Sequence, residues 1–251
     1  MNEDRFTGRA DLYAKYRPSY PDDFIEYLYS QVGLTKDSII ADIGSGTGIF
    51  TRLMLRQHSF VYGVEPNEDM RKTAESELAR YRNFVSIHAP AERTGLKTAS
   101  IDFVTVAQAF HWFDREKFRM ECKRILREKG KVILVWNSRG NESELTRETI
   151  EINRKYCPGF EGFSGGMREP NPEQYGDFFK GGTCEYKVFN NDSILDEAGF
   201  IGRNLSASYA PKQGTEGYQP YIFDLTRLFQ KYSKSGYLRV PSLTRSYVGE
   251  V

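Results

Sequence analysis

The sequence has little cysteine, little histidine and almost no net charge. Cys122, Cys157 and Cys184 are too far apart for a CxxC pair or a disulfide ladder, so ordinary thiols in a reducing compartment are expected. His58, His88 and His111 are equally dispersed, and no HExxH-type metal motif is present, so no metal site is expected. Lys+Arg is 35 against 34 Asp+Glu, with no block of one sign, which leaves no basic footprint for nucleic acid. The apolar runs are strand-sized and too short to span a bilayer. The start, MNEDRFTGRADLY, lacks an apolar stretch behind basic residues, so neither a signal peptide nor a membrane partner is expected, and the expected location is the cytoplasm.

What is present is a repeated strand–helix rhythm. Ser38–Ile43, Phe60–Glu65, Val85–Ala89, Ile101–Ala107 and Gly130–Trp136 are apolar without strict alternation, as strands covered on both faces are. Helices are expected at Ala10–Tyr16, Asp22–Ser30, Thr47–Gln57, 67–80 and Arg115–Leu126. This pattern predicts an α/β, doubly wound, mostly parallel sheet in a single domain. Within it, 31–137 forms the core behind an N-terminal lid (1–30). Rhythm is lost after Asn137, and 138–182 reads as an inserted cover over the site, with helices at 141–156 and Pro172–Phe179. Residues 183–251 complete sheet and pocket: a sixth strand at Glu185–Phe189, helical stretches at Ser193–Ser208 and Tyr218–Tyr232, and an edge strand at Leu243–Gly249.

The sharpest local signal is Asp42-Ile43-Gly44-Ser45-Gly46-Thr47-Gly48, placed between a strand and a helix. Alternate glycines let the backbone turn sharply and approach a ligand, and the helix start offers unpaired N–H groups. Glu65 closes the next strand at the distance suited to a ribose-binding carboxylate. Together they indicate a nucleoside-containing cofactor. The Gly-x-Gly-x-Gly spacing and the acid before it favour S-adenosylmethionine over NAD, because Asp42 can face a methionine ammonium directly or through water and would repel a pyrophosphate.

These segments resemble the class I S-adenosylmethionine-dependent methyltransferases, in particular the methyltransferase type 11 group with its trans-aconitate methyltransferase-like proteins. DIGSGTG resembles the family's first motif, VEPNEDM its second, APAERTGL the adenine-framing segment, and Gln108–Asp114 the signature after strand four. FTGRADLYAKYRPSYP resembles its lid, and SASYAP with YVGEV its C-terminal part. The resemblance implies a Rossmann-like sheet of seven strands with an antiparallel last strand. It also implies cofactor contacts from Asp42, Gly44, Ser45, Gly46, Gly48, Glu65, Pro66, Met70, Ala91, Glu92 and Gln108.

For the chemistry, His111 and Gln108 lie just past strand four, where doubly wound sheets present active groups. His111 is a candidate base or orienting group, with a structural histidine as the plain alternative. Tyr16, Arg17, Phe110, Trp112 and Tyr209 are candidate substrate neighbours, with Tyr13 in the lid and Phe160, Phe163, Arg168 and Tyr175 in the cover. The expected activity is methyl transfer to a small molecule, leaving S-adenosylhomocysteine. A nicotinamide-dependent oxidoreductase, a non-catalytic cofactor-binding module and an RNA methyltransferase are the alternatives. Acceptor and oligomeric state stay open.

Overall fold

The computed structural model describes residues 16–139, 143–163 and 172–251. The expected helix at Ala10–Tyr16 therefore lies almost wholly outside the described residues, as do Tyr13 and Arg168. Five strands carry the core: β1 (Ile39–Ile43), β2 (Phe60–Val64), β3 (Phe84–Ile87), β4 (Ile101–Ala107) and β5 (Leu126–Arg139). After them come β6 (Glu185–Asn190), β7 (Ser193–Leu195), β8 (Leu238–Val240) and β9 (Ser242–Gly249). The main sheet has seven strands in the order β3-β2-β1-β4-β5-β9-β6, parallel except for β9.

Seven α-helices lie among the described residues. α1 (Asp22–Tyr27) continues as a wider π-type turn, Leu28–Val32, and stops at Gly33, whose φ of 105° few other residues accept. α2 (Ile49–Arg56), α3 (Glu68–Leu78) and α4 (Arg115–Ile125) follow β1, β2 and β4. α5 (Glu144–Tyr156), α6 (Glu197–Leu205) and α7 (Tyr218–Tyr232) belong to the second half. Asn67, Asp114, Ser143 and Asp196 each cap a helix by accepting a backbone N–H.

The pleat divides the core. Ile40, Val61, Ile133 and Val135 pack with Phe24, Leu28, Phe50, Met54 and Leu78 on one face. Ala41, Ile43, Val132, Leu134 and Trp136 pack with Phe110, Phe118 and Tyr247 on the other. Each fully buried Leu, Ile or Phe contributes roughly 1.5–3 kcal/mol, so both faces stabilise the sheet. A third cluster, with Phe200, Tyr221, Leu225, Phe229, Leu238 and Val240, holds α5, α6 and α7 against the small β7–β8 pair.

Three expectations change. The last strand is not an edge: β9 lies between β5 and β6, and β6 is the edge. Its alternating polar positions are buried because they face β5 groups; Thr244 donates its hydroxyl to Asn137 Oδ1 at 2.5 Å. Ser193–Ser208 is not one helical stretch. Ser193–Leu195 pairs with β8, and the helix starts only at the Asp196 cap, which accepts Gly199 N–H at 2.7 Å. β5 also runs on to Arg139, so the segment expected as a cover from 138 begins inside a strand.

Candidate functional site

β1 delivers the chain to the glycine-rich turn at the carboxyl edge of the sheet. The Gly44 and Ser45 amides donate to Val64 O at 2.8 and 3.2 Å, tying the turn to the end of β2. The glycines differ in their reasons. A Cβ on Gly44 would stand 2.5 Å from Ala109 Cβ, so packing demands glycine there. Gly46, at φ 55°, has open space where its Cβ would be, so backbone rather than side chain meets the cleft.

Glu65 follows β2 and is 9% exposed. Its Oε2 accepts Gly46 N–H at 2.9 Å and its Oε1 accepts Asn67 N–H at 2.8 Å. The acid therefore links turn, strand end and helix cap. Asn67 in turn accepts Met70 N–H at 2.9 Å, which fixes buried Met70 beneath the cap. His88 Nε2 donates to the Pro66 carbonyl at 3.0 Å.

Asp42 has no exposed surface. Its oxygens accept the Thr51 hydroxyl at 2.6 Å and the Thr105 hydroxyl at 2.9 Å. Burial raises its pKa to about 6, against the lowering effect of the threonine hydrogen bonds, and nearby Glu65 raises it further. The expected direct reach of this acid to a ligand ammonium is therefore not its arrangement here: it braces β1, β4 and α2 from below the turn. Thr51 and Thr105 were missed in the sequence. Thr105 was visible only as the one hydroxyl inside an apolar strand.

Beyond β4, Gln108 holds a left-handed backbone with φ 64°, rare for a residue with a side chain. Its N–H donates to Val135 O at 2.9 Å and its Nε2 to Asn137 O at 3.1 Å, binding this corner to β5. His111 lies on the short turn Phe110–Trp112, against the Trp112 ring at 4.4 Å. Its ring is open to solvent, yet surrounding protein desolvates it and lowers its pKa to about 4. It is neutral at pH 7.

Phe110 does not line that surface. It is fully buried among Phe118, Trp136, Tyr175 and Phe178, the last at 4.8 Å. An aromatic next to polar residues looked like a pocket wall; the sheet face claims it instead. Tyr175 is likewise core, stacked on Trp136 at 4.6 Å. Ala91 is buried nearby, and Glu92 spends a carboxylate oxygen on Asp114 N–H at 2.8 Å. On the other side, Tyr16 seats its ring where a Cβ on Gly202 would be, 2.6 Å away. Arg17 donates to Ser206 O at 3.4 Å, and Tyr209 meets Phe160 at 4.8 Å. Tyr16 and Arg17 are thus seated against α6 and its end, with Tyr209 close enough to Arg17 to feel its charge. Among the described residues no group of three metal-ligating side chains occurs, and no helix is long and apolar enough to cross a membrane.

Comparison with known proteins agrees with this geometry. Residues 41–134 match a family model described as "Methyltransferase domain". A Dictyostelium discoideum protein that carries a provisional methyltransferase name is 35% identical over 136 residues, 54% of this chain and 49% of its own length. An uncharacterized methyltransferase of Mycobacterium bovis is 33% identical over 147 residues, 59% of this chain and 58% of its own. The match thus spans about half the length of these curated relatives. Among solved structures, a provisionally assigned type II methyltransferase from Anaeromyxobacter dehalogenans superposes with a TM-score of 0.65 at 22% identity, covering 94% of this chain and 98% of that one. The sheet is therefore the Rossmann-like methyltransferase fold.

Proposed function

We propose that the chain, whose residues 41–134 match the methyltransferase-domain family model, binds S-adenosylmethionine at the carboxyl edge of its sheet and methylates a small-molecule acceptor. The observation that carries this reading is the Glu65–Gly46 hydrogen bond, which joins a buried acid to an open backbone turn across two parallel strands. The residues suit a nucleoside: the backbone is unobstructed at Gly46, and a carboxylate at the end of the second strand is the group that binds ribose hydroxyls in such sheets.

In this reading Gly44, Ser45, Gly46 and Gly48 give backbone to the cofactor, and Glu65 holds the ribose. Pro66, Met70, Ala91 and Glu92 border the base. Asp42 acts from below, keeping the turn in shape. When bound, the cofactor supplies an electrophilic methyl group on a sulfonium. The chain's part is to hold an acceptor in line and exclude water, which itself supplies much of such catalysis. Gln108 fixes the corner between β4 and β5 where the acceptor enters. His111 is neutral there and accepts a proton or orients a hydroxyl at one ring nitrogen. Trp112, Tyr16, Arg17 and Tyr209 surround the acceptor. A cytoplasmic location, with no nucleic-acid or membrane partner, belongs to the same proposal.

Titration calorimetry checks the cofactor. S-adenosylmethionine and S-adenosylhomocysteine should bind and NAD should not. Micromolar binding of NAD, with no response to either sulfur nucleoside, would overturn the proposal.

A further inference from the structure

Among the described residues, the positive charge gathered at the carboxyl end of β5 meets neutral hydrogen-bond partners. Arg139 ends that strand, donates NH1 to Asn204 Oδ1 at 3.1 Å, and lies over the Phe163 ring at 4.5 Å. Arg203, on α6, is 7% exposed and donates to Ser193 Oγ at 3.1 Å and Ser242 Oγ at 2.9 Å. Ser242 is the residue paired with Arg139 across β5 and β9, so both guanidiniums converge on one place.

Among the described residues, the ionisable groups that act on Arg139 are Tyr209, Tyr221 and Arg17; those that act on Arg203 are Arg139, Arg17 and Tyr209. Burial is the leading influence on both and disfavours their charged forms, and neighbouring arginines add to it. The tyrosines do not compensate, since burial raises the pKa of Tyr209 and Tyr221 and keeps them neutral. Asp192 accepts Ser242 N–H, but it is committed to Arg239, whose Nε is 2.7 Å away. Among the described residues neither Arg139 nor Arg203 forms an ion pair.

Guanidinium does not deprotonate in proteins, and a buried charge without a counter-charge is costly. A fold that keeps such groups together is completed by an anion. The place is right for an acceptor: Arg139 is two residues beyond Asn137, whose carbonyl receives Gln108, and Arg17 enters from the segment seated on α6.

We propose that Arg139 and Arg203 form an anion pocket that holds a carboxylate or phosphate group of the methyl acceptor. The planar forks of arginine match either anion in two-point fashion. The pocket makes the acceptor a small organic acid or phosphate ester. This rests on the methyltransferase reading above.

The test uses the full chain saturated with S-adenosylhomocysteine. Thermal melts at fixed ionic strength are followed with sulfate, succinate and phenyl phosphate, against succinamide and phenol as neutral matches. The anions should raise the melting temperature of the wild type and the neutral compounds should not. Arg139→Met should need roughly tenfold more anion for the same shift, or more, with its S-adenosylhomocysteine affinity kept within about twofold. Without added anion it should melt no lower than the wild type, because a repelled charge has been removed. Arg203→Met is the second variant and should lose the anion response in the same way. A larger response to phenyl phosphate or to succinate supports the pocket and tells which anion it takes. Equal effects of anions and neutral matches overturn it, as does an undiminished anion response in both variants. Loss of S-adenosylhomocysteine affinity in the variants also overturns it, since the cluster would then hold the cofactor's carboxylate. A wild type that binds neither sulfur nucleoside sinks the methyltransferase reading; the anion titration on the free chain then decides the pocket by itself.

Discussion

Asp42 and Thr105 meet across neighbouring parallel strands, the carboxylate of β1 accepting the hydroxyl of β4 at 2.9 Å inside the core. Thr105→Val removes that donor and keeps the shape. Asp42 is then less well satisfied, and the expected loss is about 1–3 kcal/mol of stability. Denaturant melts read it directly. An unchanged midpoint would mean that the bond contributes nothing.

Asp42 also sets a pH dependence. Its folded pKa is raised to about 6 from an ordinary value of 3.8. The folded state therefore holds this proton more tightly than the unfolded chain. The resulting stabilisation is full below pH 3.8 and is lost as pH rises through about 6. At neutral pH the ionised, buried carboxylate is a burden on the order of 3 kcal/mol. Asp42→Asn should lose this component, so the wild-type-minus-variant stability difference should fall between pH 4 and 7. A flat difference would count against a raised pKa.

Glu65→Ala should weaken S-adenosylhomocysteine binding on the order of 2 kcal/mol. It also strips acceptors from the Gly46 and Asn67 amides, so the ligand-free protein should lose about 1 kcal/mol as well. Glu65→Gln should restore part of the stability and little of the affinity. Calorimetry and melts on the same samples separate the two effects.

The glycines of the turn should divide in the same way. Gly44→Ala drives a methyl into Ala109 and should be strongly destabilising. Gly46→Ala meets open space and bears only the cost of its left-handed backbone, about 1 kcal/mol. It should nevertheless reduce cofactor affinity, because the added methyl occupies the cleft. Equal melting temperatures for the two variants would show that the turn is not packed as described.

His111 carries a prediction in turnover. With its pKa lowered to about 4, it is neutral across the usual assay range. If it takes the acceptor's proton, activity should fall as pH drops through about 4, and no limb from this group should lie near pH 7. His111→Ala should then reduce turnover roughly 100-fold, and His111→Asn should not restore it. Restoration by Asn would assign orientation rather than proton transfer. Both are measured on the acceptor found by screening with labelled donor.

The local order of residues determined what depends on neighbours in the chain. Strand-sized apolar runs alternating with helices gave the parallel core, and Gly44, Gly46, Gly48 and Glu65 marked the turn and strand end that meet at the sheet's carboxyl edge, because turn geometry and strand ends are set within a few residues. Tertiary structure decided what depends on partners far away. β9 entered between β5 and β6, although its alternation reads as an edge, because hydrogen-bond partners on both sides lie over 50 residues distant. Asp42 went beneath the turn rather than into the cleft, because Thr51 and Thr105 reach it from two other elements. Phe110 was drawn into the core while its neighbour His111 stayed at the surface, a difference of direction on one short turn that composition does not encode. Arg139 and Arg203 are more than 60 residues apart and unremarkable in sequence; only the fold, by placing Ser242 opposite one and within reach of the other, turns them into a single site.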